Sequence, residues 1–189
     1  AGEEQAPIAA LPQPEPLHFE RRFAEPVAHQ ASVAACLLDL LRDAARVLEQ
    51  RGLGGRRFAL TLFRSDGARH RLDIQTSQPT RDPAQVVRLF DERIGALADP
   101  LDPGFGFDVI RLEALLAEET KPATISFDSD ENARQQVLYL IDRLSARFGE
   151  HRVQRFVPQD THIPEAAGAA APAQDRDFTQ QNWPLKRRP

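Results

Sequence analysis

The chain has 189 residues, a net charge of -4, and 41% hydrophobic against 28% charged residues, which suits one ordinary soluble domain with a tail, or two small ones, and excludes a large multidomain enzyme. No apolar run approaches the roughly 18 residues of a membrane span, and the acidic opening at residues 2–5 lacks the layout of a secretory signal. A single cysteine, Cys36, excludes an internal disulfide and a cysteine-based zinc site and fits a reducing, cytoplasmic setting. The absence of methionine makes the chain read as a piece of something longer, with further function expected upstream.

Residues 1–16 hold Pro7, Pro12, Pro14 and Pro16 and read as an extended linker. Leu17, Phe19, Arg21 and Phe23 then alternate with polar neighbours, which predicts a half-buried strand stopped by Pro26. Over 32–51, Val33, Leu37, Leu40, Leu41, Ala44, Val47 and Leu48 recur every three or four residues, predicting an amphipathic helix with Ser32 as N-cap and Gly52, Gly54 and Gly55 as its stop. Residues 57–64 place Phe58, Leu60 and Leu62 on one strand face, Ser65-Asp66-Gly67 signals a hairpin turn, and 69–75 alternates again with Leu72 and Ile74 inward. A second helix is expected from Asp82 as N-cap, with Pro83 first, Gln85 completing a capping box, and an apolar stripe of Val86, Val87, Phe90, Ile94 and Leu97. Residues 105–112 read as a last strand.

Strand, helix, strand, strand, helix, strand is the order of two βαβ units, so the expected fold is α+β: a split βαβ-βαβ four-stranded sheet with both helices on one face over 17–118. A helix-strand extension is expected over 119–165: a helix from about residue 130 to Phe148 with Val137, Leu138, Ile141, Leu144 and Phe148 on one side, then a strand at 152–157. It is too small to bury a core alone and is expected to pack on the first domain or on a partner. Residues 166–189 read as a disordered tail. One face of the sheet is left uncovered.

Charge is divided between elements. From Arg56 to Arg81 six arginines (56, 57, 64, 69, 71, 81) face two acids, whereas the second helix with its flanks, 82–99, carries two arginines against four acids. On the strand alternation Arg57, Arg69 and Arg71 point away from the helices, so a chain of net negative charge can present a basic sheet face, the footprint of a surface that tracks a nucleic-acid backbone. Charged residues that merely keep exposed strands soluble are the alternative. The stretch Gln75-Thr76-Ser77-Gln78-Pro79-Thr80-Arg81 reads as a loop entering the second helix, where hydroxyls and amides could hold a phosphate; ordinary capping by Asp82 explains it equally. Gly104-Phe105-Gly106-Phe107-Asp108-Val109 partly resembles the RNA-binding ribonucleoprotein signature, but Pro103 replaces its basic residue, and core roles for Phe105 and Phe107 are expected.

Little points to catalysis. The sequence holds no phosphate loop, no His-Glu-x-x-His and no Gly-x-Ser-x-Gly elbow, and its histidines (18, 29, 70, 151, 162) lack metal-ligand spacing. No cofactor and no metal are expected. Helix capping explains Asp128 and Asp130, and Cys36 reads as a buried structural thiol.

Leu17-His18-Phe19-Glu20-Arg21-Arg22-Phe23-Ala24-Glu25-Pro26-Val27, Arg57-Phe58-Ala59-Leu60-Thr61-Leu62-Phe63-Arg64-Ser65-Asp66-Gly67, Thr80-Arg81-Asp82-Pro83 and residues 99–107, continuing through 152–156 and 160–165, resemble the C-terminal half of bacterial Y-family DNA-polymerase-like proteins of the mutasome type. The resemblance implies a little-finger domain that grips duplex or primer-template DNA through its backbone, without sequence specificity, beside a catalytic core that would precede residue 1. It implies a non-catalytic role in translesion synthesis and damage-induced mutagenesis, with a sliding clamp, an error-prone DnaE-type polymerase and a RecA-like adaptor as partners. The DNA-contacting candidates are then Arg56, Arg57, Arg64, Arg69, Arg71, Gln75, Thr76, Ser77, Thr80 and Arg81. Partner-binding candidates are Leu138 and Ile141 on the third helix, and Ile125 and Phe127 in a stretch that keeps two hydrophobic residues of a clamp-binding peptide but departs from it in lacking glutamine.

Overall fold

The computed structural model describes residues 17–98, 101–120, 129–159 and 167–175. Ile125 and Phe127 lie outside them. The elements are β1 (Leu17–Val27), α1 (Gln30–Gln50), β2 (Leu53–Arg64), β3 (Arg69–Thr80), α2 (Pro83–Gly95), β4 (Phe107–Glu119), α3 (Ser129–Phe148), a short 3-10 turn (Glu150–Arg152), β5 (Gln154–Pro158) and β6 (Gly168–Pro172). The first four strands form one antiparallel sheet in the order β1-β4-β2-β3. Each βαβ unit is split by a strand of the other, so the expected α+β architecture is what the chain adopts.

Strand register explains the core. Rows of paired residues run across the sheet, Phe19–Leu112–Leu60–Leu72 among them, with Ala114–Phe58–Ile74 in the next. Against these pack Leu37, Leu40, Leu41 and Ala44 of α1 and Val86, Leu89 and Phe90 of α2, all buried. Cys36 lies in the same cluster, where burial pushes its thiol above the usual cysteine range. Truncating a residue such as Phe90 would remove about 3–5 kcal/mol by loss of apolar burial plus the cavity left behind.

Several boundaries differ from expectation for identifiable reasons. The first helix starts three residues early, with His29 as N-cap in place of Ser32, which sits inside its first turn. Gly52, at φ +69°, ends it, while Gly54 and Gly55 already belong to β2. Pro26 does not stop β1, because β1 is an edge strand and loses no ladder bond there. The turn entering β4 holds Gly106 at φ +100°, where a Cβ would lie 3.0 Å from the Pro26 carbonyl carbon. Phe107 is buried as expected, but Phe105 lies before the strand and is 85% exposed. β4 continues seven residues past Leu112, since residues 113–119 pair with the start of β2. Asp82 caps α2 by accepting from the Ala84 N–H; Gln85 accepts instead from the Thr80 hydroxyl, which in turn accepts the Asp82 N–H, so the capping box runs through Thr80.

The C-terminal unit departs furthest. β5 pairs with β6, so the tail expected to lack structure from residue 166 contains a strand at Gly168–Pro172. α3 packs on β3 and α2 most deeply through Asp142, Ser145 and Ala146, which are buried; of its expected apolar stripe Leu138, Ile141 and Leu144 are half-buried, while Val137 and Phe148, like Leu140 beside them, are exposed.

Candidate nucleic-acid interface

The uncovered sheet face is built by the residues alternating with the core rows. Across β1, β4, β2 and β3 it reads His18–Glu113–Ala59–Asp73, then Glu20–Arg111–Thr61–Arg71, then Arg22–Val109–Phe63–Arg69. Arg57 pairs with Gln75 at the other end of the β2–β3 hairpin. Arg57, Arg69 and Arg71 are exposed on this side, as strand alternation requires. Arg57 and Arg69 make no hydrogen bond or ion pair with the described residues.

The remaining cations of this face are tethered. Arg71 bonds Asp73 at 3.2 Å and Glu113 at 3.3 Å. Arg111 donates to Glu20 at 2.9 Å and lies over the Phe63 ring, 5.2 Å from its centroid. Hydrogen bonds from Arg111 first, then Arg22, hold the Glu20 carboxyl below the usual glutamate range. Five arginines (22, 57, 69, 71, 111) thus share the face with Glu20, Asp73 and Glu113, and the uncompensated charge sits at Arg57 and Arg69. Arg22 and Arg111 lie on β1 and β4, outside the arginine-rich hairpin, so the charge of that hairpin alone does not reveal them.

Six of the ten expected contact residues are elsewhere. Arg56 is 3% exposed: its guanidinium donates to the Glu118 carboxylate at 3.2 Å, the Thr76 carbonyl and the Gln174 carbonyl. A register shift between Gly55 and Arg57 leaves Arg56 unpaired in the ladder, so its side chain turns under the C-terminal unit. Arg64 clasps Asp66 and Asp102 and covers Gly104. Residues 75–80 are strand, not loop; Thr76 and Ser77 are buried, with the Thr76 hydroxyl donating to the Gln78 carbonyl at 2.7 Å. Thr80 is taken up by the cap of α2, and the Arg81 Nε–H donates to the Leu53 carbonyl.

A buried polar cluster, absent from the sequence reading, explains these placements. β3 is an edge strand, and Gln75 and Ser77, two residues apart, present their backbone groups to its free edge. One Asp142 oxygen accepts from the Ser77 N–H (2.7 Å), the Ser77 hydroxyl (2.6 Å) and the Gln174 amide (2.8 Å), and Gln174 also donates to the Gln75 carbonyl (2.7 Å). Side chains from α3 and from the turn after β6 therefore take the place of a fifth strand, meeting groups that would otherwise be buried unpaired. Burial pushes the Asp142 carboxyl above the usual aspartate range, outweighing the bonds from Ser77 and Gln174. Leu138 and Ile141 are half-buried, and Leu138 lines a gap facing Thr80 and Gln85.

Among the described residues no three His, Cys, Asp or Glu side chains converge to hold a metal, and no helix is long and apolar enough to cross a membrane. Residues 18–126 match the model of the impB/mucB/samB family C-terminal domain. The chain belongs to that family. Curated relatives of this impB/mucB/samB chain include the protein ImuB of two Caulobacter vibrioides strains, NA1000/CB15N and ATCC 19089, each 33% identical over 150 residues, or 78% of the chain. The chain spans 32% of their length. A solved complex of a beta-clamp processivity factor with the little finger domain of PolIV is also similar in structure, with a TM-score of 0.41, 19% identity, and coverage of 59% of this chain and 97% of that one.

Proposed function

We propose that this impB/mucB/samB-family domain is a non-catalytic DNA-binding module of a Y-family polymerase-like protein, acting in translesion synthesis and damage-induced mutagenesis by laying the outer face of its sheet along the phosphate backbone. The observation that carries the reading is the pair of exposed guanidiniums, Arg57 and Arg69, without partners among the described residues on an otherwise ion-paired face. Phosphate is an oxyanion that their planar forks can grip through two hydrogen bonds. Neither depends on a base edge, so duplex and primer-template DNA are bound without sequence preference. Fluorescence anisotropy at about 50 and about 200 mM salt checks this: with two or three phosphates contacted, affinity is expected to fall roughly 10- to 40-fold between them. A salt-independent affinity would count against a phosphate-tracking face.

The exposed stripe of α3 favours a second role. Val137, Leu140 and Phe148 are each half or more exposed and follow one another at helical spacing on one side of the helix. This is the surface on which an error-prone DnaE-type polymerase or a RecA-like adaptor would dock; the sliding clamp would engage residues 123–128 instead. Changing the three residues to serine leaves the buried side of α3 untouched. Capture of the purified polymerase or adaptor is expected to drop at least tenfold while the thermal midpoint stays within a few degrees; undiminished capture of both would remove α3 from the partner surface.

A further inference from the structure

At the Arg57 end of the open face, the sheet and the C-terminal unit enclose a half-open cleft of about 410 Å³. Arg57, Gln75 and Leu115 line it from the sheet, Arg93 from α2, and Ser145 and Ala146 from α3. Ser145 is 6% exposed, and its hydroxyl has no hydrogen-bond partner among the described residues, not even the carbonyl one turn earlier that a helical serine ordinarily uses. The Nε–H of Arg93 is likewise buried and without a partner among the described residues. Buried polar atoms are nearly always bonded, so two orphans on one cleft mark the place of a polar ligand.

The charge of the lining selects the ligand. Arg57, Arg71 and Arg93 face Asp73 and Glu150; Arg71 is already held by Asp73 and Glu113, and the C-terminal end of α3 adds partial negative charge of its own. A near-neutral interior does not hold a bare multivalent anion. It suits a nucleobase, whose edge carries donors and acceptors and whose faces are apolar: Leu115 and Ala146 offer apolar wall, guanidinium planes offer stacking, and Ser145 and Arg93 offer edge contacts. The volume falls at the small end of the roughly 300–1,000 Å³ of small-ligand pockets, room for one nucleotide.

We propose that this cleft takes a single unstacked nucleotide, base inward against Ser145 and Arg93 and phosphate outward on Arg57. The nucleotide comes from a strand lying on the outer face or from free mononucleotide; the first source rests on the DNA-binding reading above. The test compares a short, fully paired duplex with the same duplex carrying one bulged adenine, and separately titrates deoxyadenosine monophosphate into isotope-labelled chain. The bulged duplex is expected to bind about three- to tenfold more tightly, a fraction of one base-stacking contact after the ordering cost. Ser145→Ala and the charge-conserving Arg93→Lys are expected to erase that preference and leave the paired duplex as before. Removing an unpartnered buried hydroxyl should also leave the thermal midpoint unchanged or raise it. Mononucleotide-induced amide shifts at Gly149, Glu150 and His151 that vanish in Ser145→Ala, without a bulge preference, would assign the cleft to free nucleotide. No preference together with no shifts, or a preference that survives both substitutions, overturns the proposal. Loss of salt-dependent binding to both duplexes with the shifts intact would sink the DNA reading and leave the cleft a nucleotide site.

Discussion

Replacing Arg57, Arg69 and Arg71 together with alanine is expected to weaken duplex binding about 10- to 100-fold near 50 mM salt and to flatten the logarithmic salt dependence by roughly two to three units. Arg57 and Arg69 supply the larger share, because no carboxylate among the described residues competes for them. Arg71 acts differently. Its removal frees Asp73 and Glu113, now bonded at 3.2 and 3.3 Å, and adds their repulsion to the loss of a cation. The three side chains are exposed and carry no core contact, so each change should move stability by only about 0.5 kcal/mol. Arg42 and Arg46 on α1, paired with Asp39 and Asp43, make the control: their double alanine variant should bind as before. Equal binding by triple variant and wild type, measured by anisotropy, would remove the outer face from the interface.

The second large effect is expected at Asp142. Asp142→Ala leaves the Ser77 N–H and hydroxyl without their acceptor and deprives the Gln174 amide of one of its two, a loss of about 2–4 kcal/mol. It falls on the seam between the sheet and the C-terminal unit, since the core of the sheet lies elsewhere. Hydrogen exchange should therefore show β6 and the Ser77 amide losing protection while β2 and β4 keep theirs; retained protection of β6 would place the attachment at Arg56 and Gln174 alone. The pH dependence has a definite sign. The folded-state pKa of Asp142 is raised by burial, so the folded form binds the proton more tightly than the unfolded chain does. That contribution is full below the ordinary aspartate pKa of about 3.9 and disappears as pH rises through the elevated folded value. The seam is thus tighter in mild acid than at neutrality. Asp142→Asn keeps a carbonyl oxygen for the three donors and removes the charge, so it should retain β6 protection and lose the pH dependence.

The same residues show how far local pattern reaches. Phe58, Leu60 and Leu62, like Leu72 and Ile74, could be assigned to the core because a strand alternates faces whatever it packs against, and the structure buries all five. Arg57, Arg69 and Arg71 were legible on the opposite face for the same reason. The run 75–81 misled because hydroxyls, glutamine and proline before a capped helix look like a loop, whereas the edge of β3 makes them strand by finding partners 65 residues away for Ser77 and 99 away for Gln75. On α3 the sequence shows one apolar stripe, and burial of that stripe is the natural expectation. The free backbone groups of β3 needed acceptors and donors more than the helix needed to hide Val137 and Phe148, so the helix is turned to bury Asp142 and Ser145 and leaves Leu138, Ile141 and Leu144 only half-buried.

The amino-acid sequence by itself determined the order of the elements from β1 to β5, the inward side of the sheet's strands, the two helices over the sheet and the resemblance to mutasome-type proteins, because periodicity of two or of about three and a half residues is a local property of the chain. Tertiary structure decided which arginines are free. Arg56 and Arg57 are neighbours of the same type, and nothing local separates them, yet one is locked to Glu118 and Gln174, 62 and 118 residues distant, while the other stands at the mouth of a cleft with no partner among the described residues. A polar side chain's role follows from what it meets, and what it meets is set by long-range packing that no window of sequence contains.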